Sequence, residues 1–269
     1  MGNRDKLYFG TNTKMTKTIA DTENFLKETS RLTADLPAES VVLFVIPSFT
    51  ALDRAKAVLL EASSSIRLGA QNMCWEETGQ FTGEISPIML KEVGTEIIEI
   101  GHSERRHVFG EKDIEEGLKV KSAAGHGFIP LLCVGETKEQ KDQGIANETL
   151  AIQLKIGLSS ITGEQAKNLW VAYEPVWAIG VSGIPATVEY AQEKHHYIRS
   201  ILIDLFGEAI GSDIPVLYGG SINNSNAEGY IVMPDIDGLF VGRSAWDASN
   251  FNTLVRAVIP LFNARKKQA

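Results

Sequence analysis

The chain has 269 residues, of which 43% are hydrophobic and 22% are charged, and these are the proportions of an ordinary folded protein. They exclude an intrinsically disordered chain, and the length fits either two domains or one closed α/β barrel of ~250 residues. The formal net charge of −8 argues against nucleic acid or an anionic membrane as the main partner, although a local basic site can still bind a small anion.

The cysteines and the first residues indicate where the protein resides. Cys74 and Cys133 form neither a paired motif nor a metal-binding motif, which is typical of reduced thiols in the cytoplasm. No apolar segment of signal-peptide type opens the sequence, and no apolar run reaches the ~18 residues of a membrane helix. We therefore expect a cytoplasmic protein that has no membrane partner.

Eight short apolar runs predict β-strands, because they are continuous hydrophobic stretches bounded by turn residues. In chain order they span residues 7–10, 41–46, 66–70, 96–100, 128–134, 169–173, 215–218 and 237–241. Segments of helical period lie between them, over residues 20–32, 50–61, 113–124, 148–158, 188–206 and 251–264. Repeated βα units without a linker predict a single (β/α)8 barrel and one catalytic domain over residues 1–269.

Polar or glycine residues follow most of the predicted strands, where a purely structural strand needs none. They are Asn12, Lys14, Gln71, Asn72, His102, Ser103, Glu104, Gly135, Glu136, Glu174, Gly219, Gly220, Ser221, Gly242, Arg243 and Ser244. In a parallel barrel the C-terminal strand ends meet on one rim, so we expect these positions to converge. This convergence predicts the active site of an enzyme.

Three of these residues suit proton-transfer chemistry. Glu174 is either a surface carboxylate in a turn or a general base whose pKa is raised by partial desolvation. His102 is either a hydrogen-bonded core histidine or a neutral imidazole that polarises a carbonyl group. Lys14 is either a solvated lysine or the cation that, beside Asn12, holds an anionic substrate. Convergence on one rim favours the catalytic interpretation of all three.

Anion binding is predicted after the last two strands. Backbone N–H groups of residues 219–221 and 242–244 would bind a phosphate, although both segments also fit tight βα turns. No glycine motif of a nucleotide site occurs, and His102, Glu104 and His107 match no firm metal signature, so we expect neither cofactor nor metal. Residues 175–186, rich in proline and glycine, predict a lid rather than a mere connector.

These motifs resemble the triosephosphate isomerase family along nearly the whole chain. The matching segments are residues 12–14, 69–72, 82–84, 101–106, 133–136, 172–180 and 218–221. The resemblance implies that Glu174 is the base, that His102 is the neutral electrophile, and that Lys14 with Asn12 is the electrostatic clamp. It further implies that Glu104 orders the site around Lys14, and that Gly180, Ser221 and Gly242 bind the phosphate. It also implies a homodimer, in which residues 72–83 dock into the neighbouring subunit.

Three departures from the usual family pattern resemble one branch, the L-erythrulose-1-phosphate isomerases of erythritol catabolism. Thr13 replaces a tryptophan, the lid tip reads Gly-Ile-Pro-Ala at residues 183–186, and Arg243 follows Gly242. The branch implies cofactor-independent conversion of L-erythrulose 1-phosphate to D-erythrulose 4-phosphate through an enediol. Arg243 would grip the phosphate or cap the lid, and the smaller Thr13 would help to tune the site for a four-carbon sugar.

Three alternatives stay open at this point. The first is triosephosphate isomerase itself, which interconverts dihydroxyacetone phosphate and glyceraldehyde 3-phosphate in glycolysis and gluconeogenesis. The second is a catalytically inactive barrel kept for binding or regulation, although the base, electrophile and clamp positions are all filled. The third is a metal-dependent hydrolase, for which the sequence lacks a clear ligand set.

Overall fold

A computed structural model describes residues 2–180 and 183–267, and its eight strands close into one barrel in chain order. Every neighbouring pair of strands is parallel, and β1 closes the barrel against β8. The predicted (β/α)8 barrel is therefore confirmed. A parallel barrel places all carboxyl ends of the strands on one face, which fixes where the site must lie.

The strands and helices have the following bounds. The strands are β1 (Leu7–Asn12), β2 (Val41–Ile46), β3 (Arg67–Ala70), β4 (Ile97–Ile100), β5 (Ile129–Val134), β6 (Trp170–Tyr173), β7 (Val216–Tyr218) and β8 (Gly238–Phe240). The α-helices are α1 (Ile19–Thr33), α2 (Leu52–Glu61), α3 (Pro87–Glu92), α4 (Ser103–His107), α5 (Asp113–Gly125), α6 (Lys138–Asp142), α7 (Ala146–Gly157), α8 (Gly163–Ala166), α9 (Val188–Phe206), α10 (Glu208–Gly211), α11 (Ala227–Ile231) and α12 (Ala248–Lys266). Short 3-10 turns occupy Asn3–Asp5, Phe49–Ala51, Val176–Ala178 and Arg243–Ala245.

The predicted boundaries agree best where one element is long and uniform. β2 and α9 have the predicted bounds, whereas β1 runs two residues beyond the predicted end at residue 10 and reaches Asn12. The short helices α3, α4, α6, α8, α10 and α11 were not predicted, because four to six residues complete too few turns to show a helical period.

Continuous apolar strands arise because both faces of the barrel wall are buried. On β2, Phe44 and Ile46 pack inside the barrel, whereas Leu43 and Val45 pack against the surrounding helices. Inside, Trp170 meets the Tyr8 ring edge-to-face with centroids 4.8 Å apart and the Phe44 ring at 5.6 Å. These aromatic rings fill the lower barrel, which leaves the opposite mouth free for a site.

The longest helices pack on the outside of the barrel and begin at capped ends. Thr187 accepts the N–H of Tyr190 at the start of α9, and Asp247 accepts the N–H of Asn250 at the start of α12. Within the ranges 2–180 and 183–267, no helix has both the length and the apolar character that crossing a bilayer requires.

Candidate active site

A cavity of about 390 Å³ opens at the C-terminal mouth of the barrel. It is lined by all the residues to which the sequence assigns a catalytic or phosphate-binding role: Asn12, Lys14, Glu104, His102, Glu174, Gly180, Ser221, Gly242 and Arg243. These residues follow strands β1, β4, β6, β7 and β8, so the fold brings together positions that lie more than two hundred residues apart.

Other polar strand ends do not reach this cavity, so the expectation of full convergence was too broad. Gln71, Asn72, Ser103, Gly135 and Glu136 are absent from its wall. They support the wall instead, as the hydrogen bonds of Gln71 and Glu136 described below illustrate. A polar strand end therefore marks the correct rim but does not by itself identify a lining residue.

The loop after β1 holds Lys14 in a strained backbone conformation. Its φ of 51° lies in the left-handed region, which costs a residue with a side chain ~1–3 kcal/mol. Two side chains hydrogen-bond to the backbone of Lys14. The Lys14 N–H donates to Asn12 Oδ1 at 2.6 Å, and Gln71 Nε2 donates to the Lys14 carbonyl at 2.9 Å. Asn12 Nδ2 donates in turn to Glu99 Oε2 at 2.7 Å. Three hydrogen bonds, of which the one between Asn12 and Glu99 is buried, thus fix the backbone of Lys14 and the side chain of Asn12.

The Lys14 ammonium group already has an anionic partner at the cavity mouth. Lys14 Nζ lies 2.6 Å from Glu104 Oε1, and 48% of the Glu104 side chain is exposed. An ion pair in contact with solvent contributes about 1 kcal/mol or less, so the ammonium can turn to an anionic ligand at small cost. Glu104 can therefore hold Lys14 in place before substrate binds.

His102 presents a defined ring nitrogen to the cavity. It caps α4, and its Nδ1 accepts the backbone N–H of Glu104 at 3.1 Å. A nitrogen that accepts a hydrogen bond carries no proton, so the ring proton of the neutral imidazole resides on Nε2. Nε2 lies 3.7 Å from Glu174 Oε2. A donor at Nε2 beside a carboxylate suits proton transfer to and from neighbouring substrate atoms.

Glu174 is a buried carboxylate at the end of β6. Its N–H still donates to the Val134 carbonyl at 2.8 Å, and only 4% of the residue is exposed. Desolvation raises the pKa of Glu174, and the nearby His102 and Lys14 partly offset this shift. Its Oε2 has no hydrogen-bond partner among the described residues, so this oxygen is available to take a proton.

Gly219 is required beside this carboxylate because of a close approach. A Cβ atom at Gly219 would lie 2.7 Å from Glu174 Cγ and 3.0 Å from its Oε1. The glycine after β7 therefore makes room for the carboxylate, a role that the sequence analysis did not foresee when it placed residues 219–221 at a phosphate. A larger residue at position 219 would have to displace Glu174.

Two glycines, a serine and one arginine form part of the cavity wall. Gly180, Ser221, Gly242 and Arg243 line it together, and Asn226 Nδ2 fixes the Ser221 carbonyl at 2.9 Å. Arg243 is exposed and makes no side-chain hydrogen bond or ion pair with any residue in the described ranges. Its guanidinium therefore brings a positive charge with five N–H donors to this rim.

One end of the predicted lid is held by the carboxylate of Glu136. It accepts hydrogen bonds from Trp177 Nε1 at 2.8 Å, from the Tyr190 hydroxyl at 3.0 Å and from the Tyr173 hydroxyl at 3.0 Å. Burial and the charge of Glu136 raise the pKa of Tyr173, so this donor stays protonated. Glu136 thus acts on the lid rather than in the cavity.

The other end of the lid is held by a separate contact. The Tyr230 hydroxyl donates to the Ala186 carbonyl at 2.5 Å, whereas Ile184, nearer the tip, is 64% exposed. Val181 and Ser182, which belong to the predicted lid, lie outside the described residues. The described part has fixed ends and an exposed apolar tip, as expected of a segment that closes over a ligand.

Two residues of the site escaped the sequence analysis. Trp246 lines the cavity and donates its Nε1 proton to the Asn12 carbonyl at 2.9 Å, which joins the ends of β1 and β8. Glu99 lies on β4 with 1% of its surface exposed. The signal for Glu99 was a single charge inside an apolar strand. Thr13, expected to help tune the site, is buried and does not line the cavity.

A cluster of possible metal ligands coincides with the site. One carboxylate oxygen of Glu99, one of Glu174 and a ring nitrogen of His102 lie within 4.8 Å of one another. This set differs from the one weighed in the sequence, since His107 is exposed and does not line the cavity. The cluster makes a chelator control necessary in any activity assay.

Comparison with known proteins agrees with this geometry. Residues 7–258 match the family model described as triosephosphate isomerase. The chain is 46% identical over 254 residues to an L-erythrulose-1-phosphate isomerase of Rhizobium etli, a match that covers 94% of this chain and 92% of that protein. It is 44% identical over 253 residues to the protein of the same name from Rhizobium meliloti, with 94% and 96% covered. It is 42% identical over 247 residues to that of Brucella abortus, with 91% and 94% covered.

Proposed function

Because the chain belongs to the triosephosphate isomerase family, we propose that it isomerises L-erythrulose 1-phosphate to D-erythrulose 4-phosphate, as one catalytic domain over residues 1–269. Family membership makes the protein an isomerase of a phosphorylated sugar, and the four-carbon substrate is the proposed part. The observation that carries it is the 42% to 46% identity to relatives that bear the name of this isomerase.

The phosphate group would bind at the wall that carries the glycines. The backbone N–H groups of Gly180, Ser221 and Gly242, which line the cavity, would be suitable donors to its oxygens, and Arg243 adds a fixed positive charge. The Lys14 ammonium lies on the same cavity and would face the reacting oxygens, where it stabilises negative charge that develops during the reaction. The chain as a whole is acidic, so the affinity for an anion must come from these local groups.

Glu174 would begin the reaction by removing a proton from the carbon next to the substrate carbonyl. The C–H electron pair then forms the new carbon–carbon double bond, and the carbonyl oxygen takes the negative charge. His102 Nε2–H would donate its proton to that oxygen, which gives an enediol. The 3.7 Å between His102 Nε2 and Glu174 Oε2 allows both groups to act on adjacent substrate atoms.

In the second half of the reaction the same proton transfers run in reverse, at the neighbouring oxygen and carbon atoms. His102 takes the proton of the neighbouring hydroxyl, a carbonyl forms there, and Glu174 returns a proton to the former carbonyl carbon. Atoms and charge balance through the side chains alone. In L-erythrulose 1-phosphate the carbon that loses its proton carries an additional hydroxymethyl group, so only the space and polarity around that carbon need to differ from a triose site.

Triosephosphate isomerase activity is the alternative. The family model is described by this name, but it covers the whole family, and the relatives at 42% to 46% identity bear the other name. Both substrates would use the same base, electrophile and clamp. They differ by one hydroxymethyl group, so the relative rates on the two substrates decide between them.

Proton exchange tests the proposed reaction directly. The purified enzyme is incubated in D2O with L-erythrulose 1-phosphate, with and without a chelator, and followed by NMR. We expect deuterium at the carbon beside the carbonyl, formation of D-erythrulose 4-phosphate, and equal rates in both samples. An absence of exchange would indicate a binding barrel, and chelator-sensitive release of inorganic phosphate would indicate a metal-dependent hydrolase.

We further propose a cytoplasmic homodimer. Large apolar side chains are exposed after β1, β3 and β4, with 95% exposure for Met15, 45% for Phe81, 72% for Val108 and 66% for Phe109. These residues follow strand ends on one rim of the barrel. Large exposed apolar groups there favour a protein partner, and a second copy of this chain is the one that the family implies. Light scattering at micromolar concentration should give twice the chain mass of 29.4 kDa, and a fully active monomer would refute the dimer.

A further inference from the structure

A second buried carboxyl group, that of Glu99, lies close to the proposed base. On β4, Ile97 packs inside the barrel while Ile98 and Ile100 face the helices, so the alternation of the strand points Glu99 inward. Its Oε2 accepts Asn12 Nδ2 at 2.7 Å, and one of its oxygens lies within 4.8 Å of an oxygen of Glu174. Glu99 does not line the cavity, so it acts on the chemistry through its neighbours.

The groups around this pair supply too little positive charge to balance two negative carboxylates. The ionisable groups that face Glu99 are Lys14 after β1, His102 and Glu104 after β4, Cys133 on β5 and Glu174 after β6. Lys14 is already paired with Glu104 at 2.6 Å. His102 accepts a hydrogen bond at Nδ1 and is therefore neutral. Two buried carboxylates this close cannot both be ionised without compensation.

We propose that Glu99 and Glu174 are a coupled pair that retains one proton, which resides on Glu99 in the resting enzyme. Glu174 is then ionised and can act as the base, while Glu99 stays neutral and positions Asn12. Glu99 is thus a positioning residue for the proposed isomerisation, and the inference rests on that function for its kinetic consequences.

The electrostatic surroundings agree with this assignment. Desolvation, followed by the charge of Glu174, raises the pKa of Glu99 well above its ordinary value. Desolvation also raises the pKa of Glu174, but the Nε2–H of neutral His102, 3.7 Å from Glu174 Oε2, and the charge of Lys14 act in the opposite direction there. Asn12 and Lys14 also lower the pKa of Glu99, but they offset less of its desolvation, so the proton stays on Glu99. The two ionisations belong to the pair rather than to one residue.

A pH consequence follows for the reaction. Uptake of a second proton at low pH neutralises Glu174 and removes the base. Loss of the shared proton at high pH puts a second negative charge beside the atoms where the enediolate forms, which slows the reaction. The rate should therefore fall on both sides of an optimum, and the alkaline side reports Glu99.

Infrared spectroscopy tests the shared proton without any substrate. Glu116 complicates the spectrum, because burial raises its pKa to about 7 and neither of its oxygens has a hydrogen-bond partner among the described residues. The first variant is therefore Glu116→Gln, which removes this signal from α5. In that background we expect the carbonyl stretch of a protonated carboxyl group to persist at neutral pH and to disappear in the double variant with Glu99→Gln. Absence of the band from Glu116→Gln alone overturns the proposal and leaves the proposed isomerase function intact.

The kinetic arm uses two neutral replacements at Glu99. Glu99→Gln keeps an acceptor for Asn12, whereas Glu99→Leu removes it. We expect Glu99→Gln to lose the alkaline fall in kcat/KM while its acidic limb stays where it is in the natural enzyme. We expect Glu99→Leu to have kcat/KM at least about tenfold below that of Glu99→Gln, because the Asn12 amide loses a buried acceptor. A shift of the acidic limb of Glu99→Gln to lower pH by about one unit or more would show that Glu99 is ionised and would refute the proposal.

Discussion

Replacement of Gly219 by alanine tests whether the base acts from the position seen in the structure. The new Cβ would lie 2.7 Å from Glu174 Cγ, whereas carbon atoms in contact prefer separations of ~3.5–4.0 Å. The carboxylate must therefore move by about 1 Å, and a displacement of this size at a reacting group costs ~10²-fold in rate. We expect Gly219→Ala to lower kcat by that factor.

The fold should tolerate the same change. The nearest atoms to the new methyl group belong to a side chain, which can rotate, and Gly219 has no left-handed φ that would strain an alanine. Gly125→Ala is the matched control, because a Cβ at Gly125 meets nothing within 4 Å and that residue ends α5 far from the cavity. Steady-state kinetics and thermal unfolding are measured for both variants. A kcat within about threefold of the natural enzyme for Gly219→Ala would refute the placement of the base, since this geometry requires a loss of ~10²-fold.

Three further variants test the remaining groups. Glu174→Gln should lower kcat by ~10²–10⁴-fold with an unchanged fold, because the amide cannot take a proton, and near-normal turnover would remove Glu174 from the mechanism. Lys14→Met should lower kcat/KM by ~10²–10³-fold and weaken inhibition by inorganic phosphate, whereas unchanged inhibition and rate would show that Lys14 serves only the ion pair with Glu104. Arg243→Gly should raise KM for both sugar phosphates while the free energy of unfolding stays within about 0.5 kcal/mol, because this exposed side chain contacts no described partner, and an unchanged KM would exclude it from phosphate binding.

Much of the fold was predictable because barrel strands carry a strong signal. The apolar run of β2 is buried on both faces, so its six residues appear in the sequence as one hydrophobic block with clear ends. The four residues of α10 have no such signal, because a single turn cannot display a helical period. The end of β1 was predicted too early, because the polar residue Asn12 interrupts the apolar pattern although it still belongs to the strand.

The role of a site residue could be predicted where its residue type alone indicates the chemistry. It could not be predicted where the role depends on contacts with side chains from other strands. The position of Lys14 at a strand end predicts that it binds an anion. Its left-handed backbone conformation could not be predicted, because it is stabilised by a hydrogen bond from Gln71, which follows another strand. Glu99 belongs to a buried strand, and its partners Asn12 and Cys133 come from β1 and β5. Only the closed barrel brings such groups together.

Substrate specificity depends on one structural difference between two sugars. The carbon that loses its proton carries a hydroxymethyl group in L-erythrulose 1-phosphate and none in dihydroxyacetone phosphate. A cavity that only has room for this group would discriminate by ~10–200-fold, whereas one that hydrogen-bonds its hydroxyl could reach ~10⁴-fold. Asn12 is a polar residue that lines the cavity, and it is a candidate for that contact.

The most direct test is the ratio of kcat/KM for L-erythrulose 1-phosphate to that for dihydroxyacetone phosphate, measured on one preparation of the full chain. The proposed function predicts a ratio of at least ~10 in favour of the four-carbon sugar. A higher kcat/KM for the triose phosphate would contradict it and would identify the protein as a triosephosphate isomerase with an altered phosphate rim.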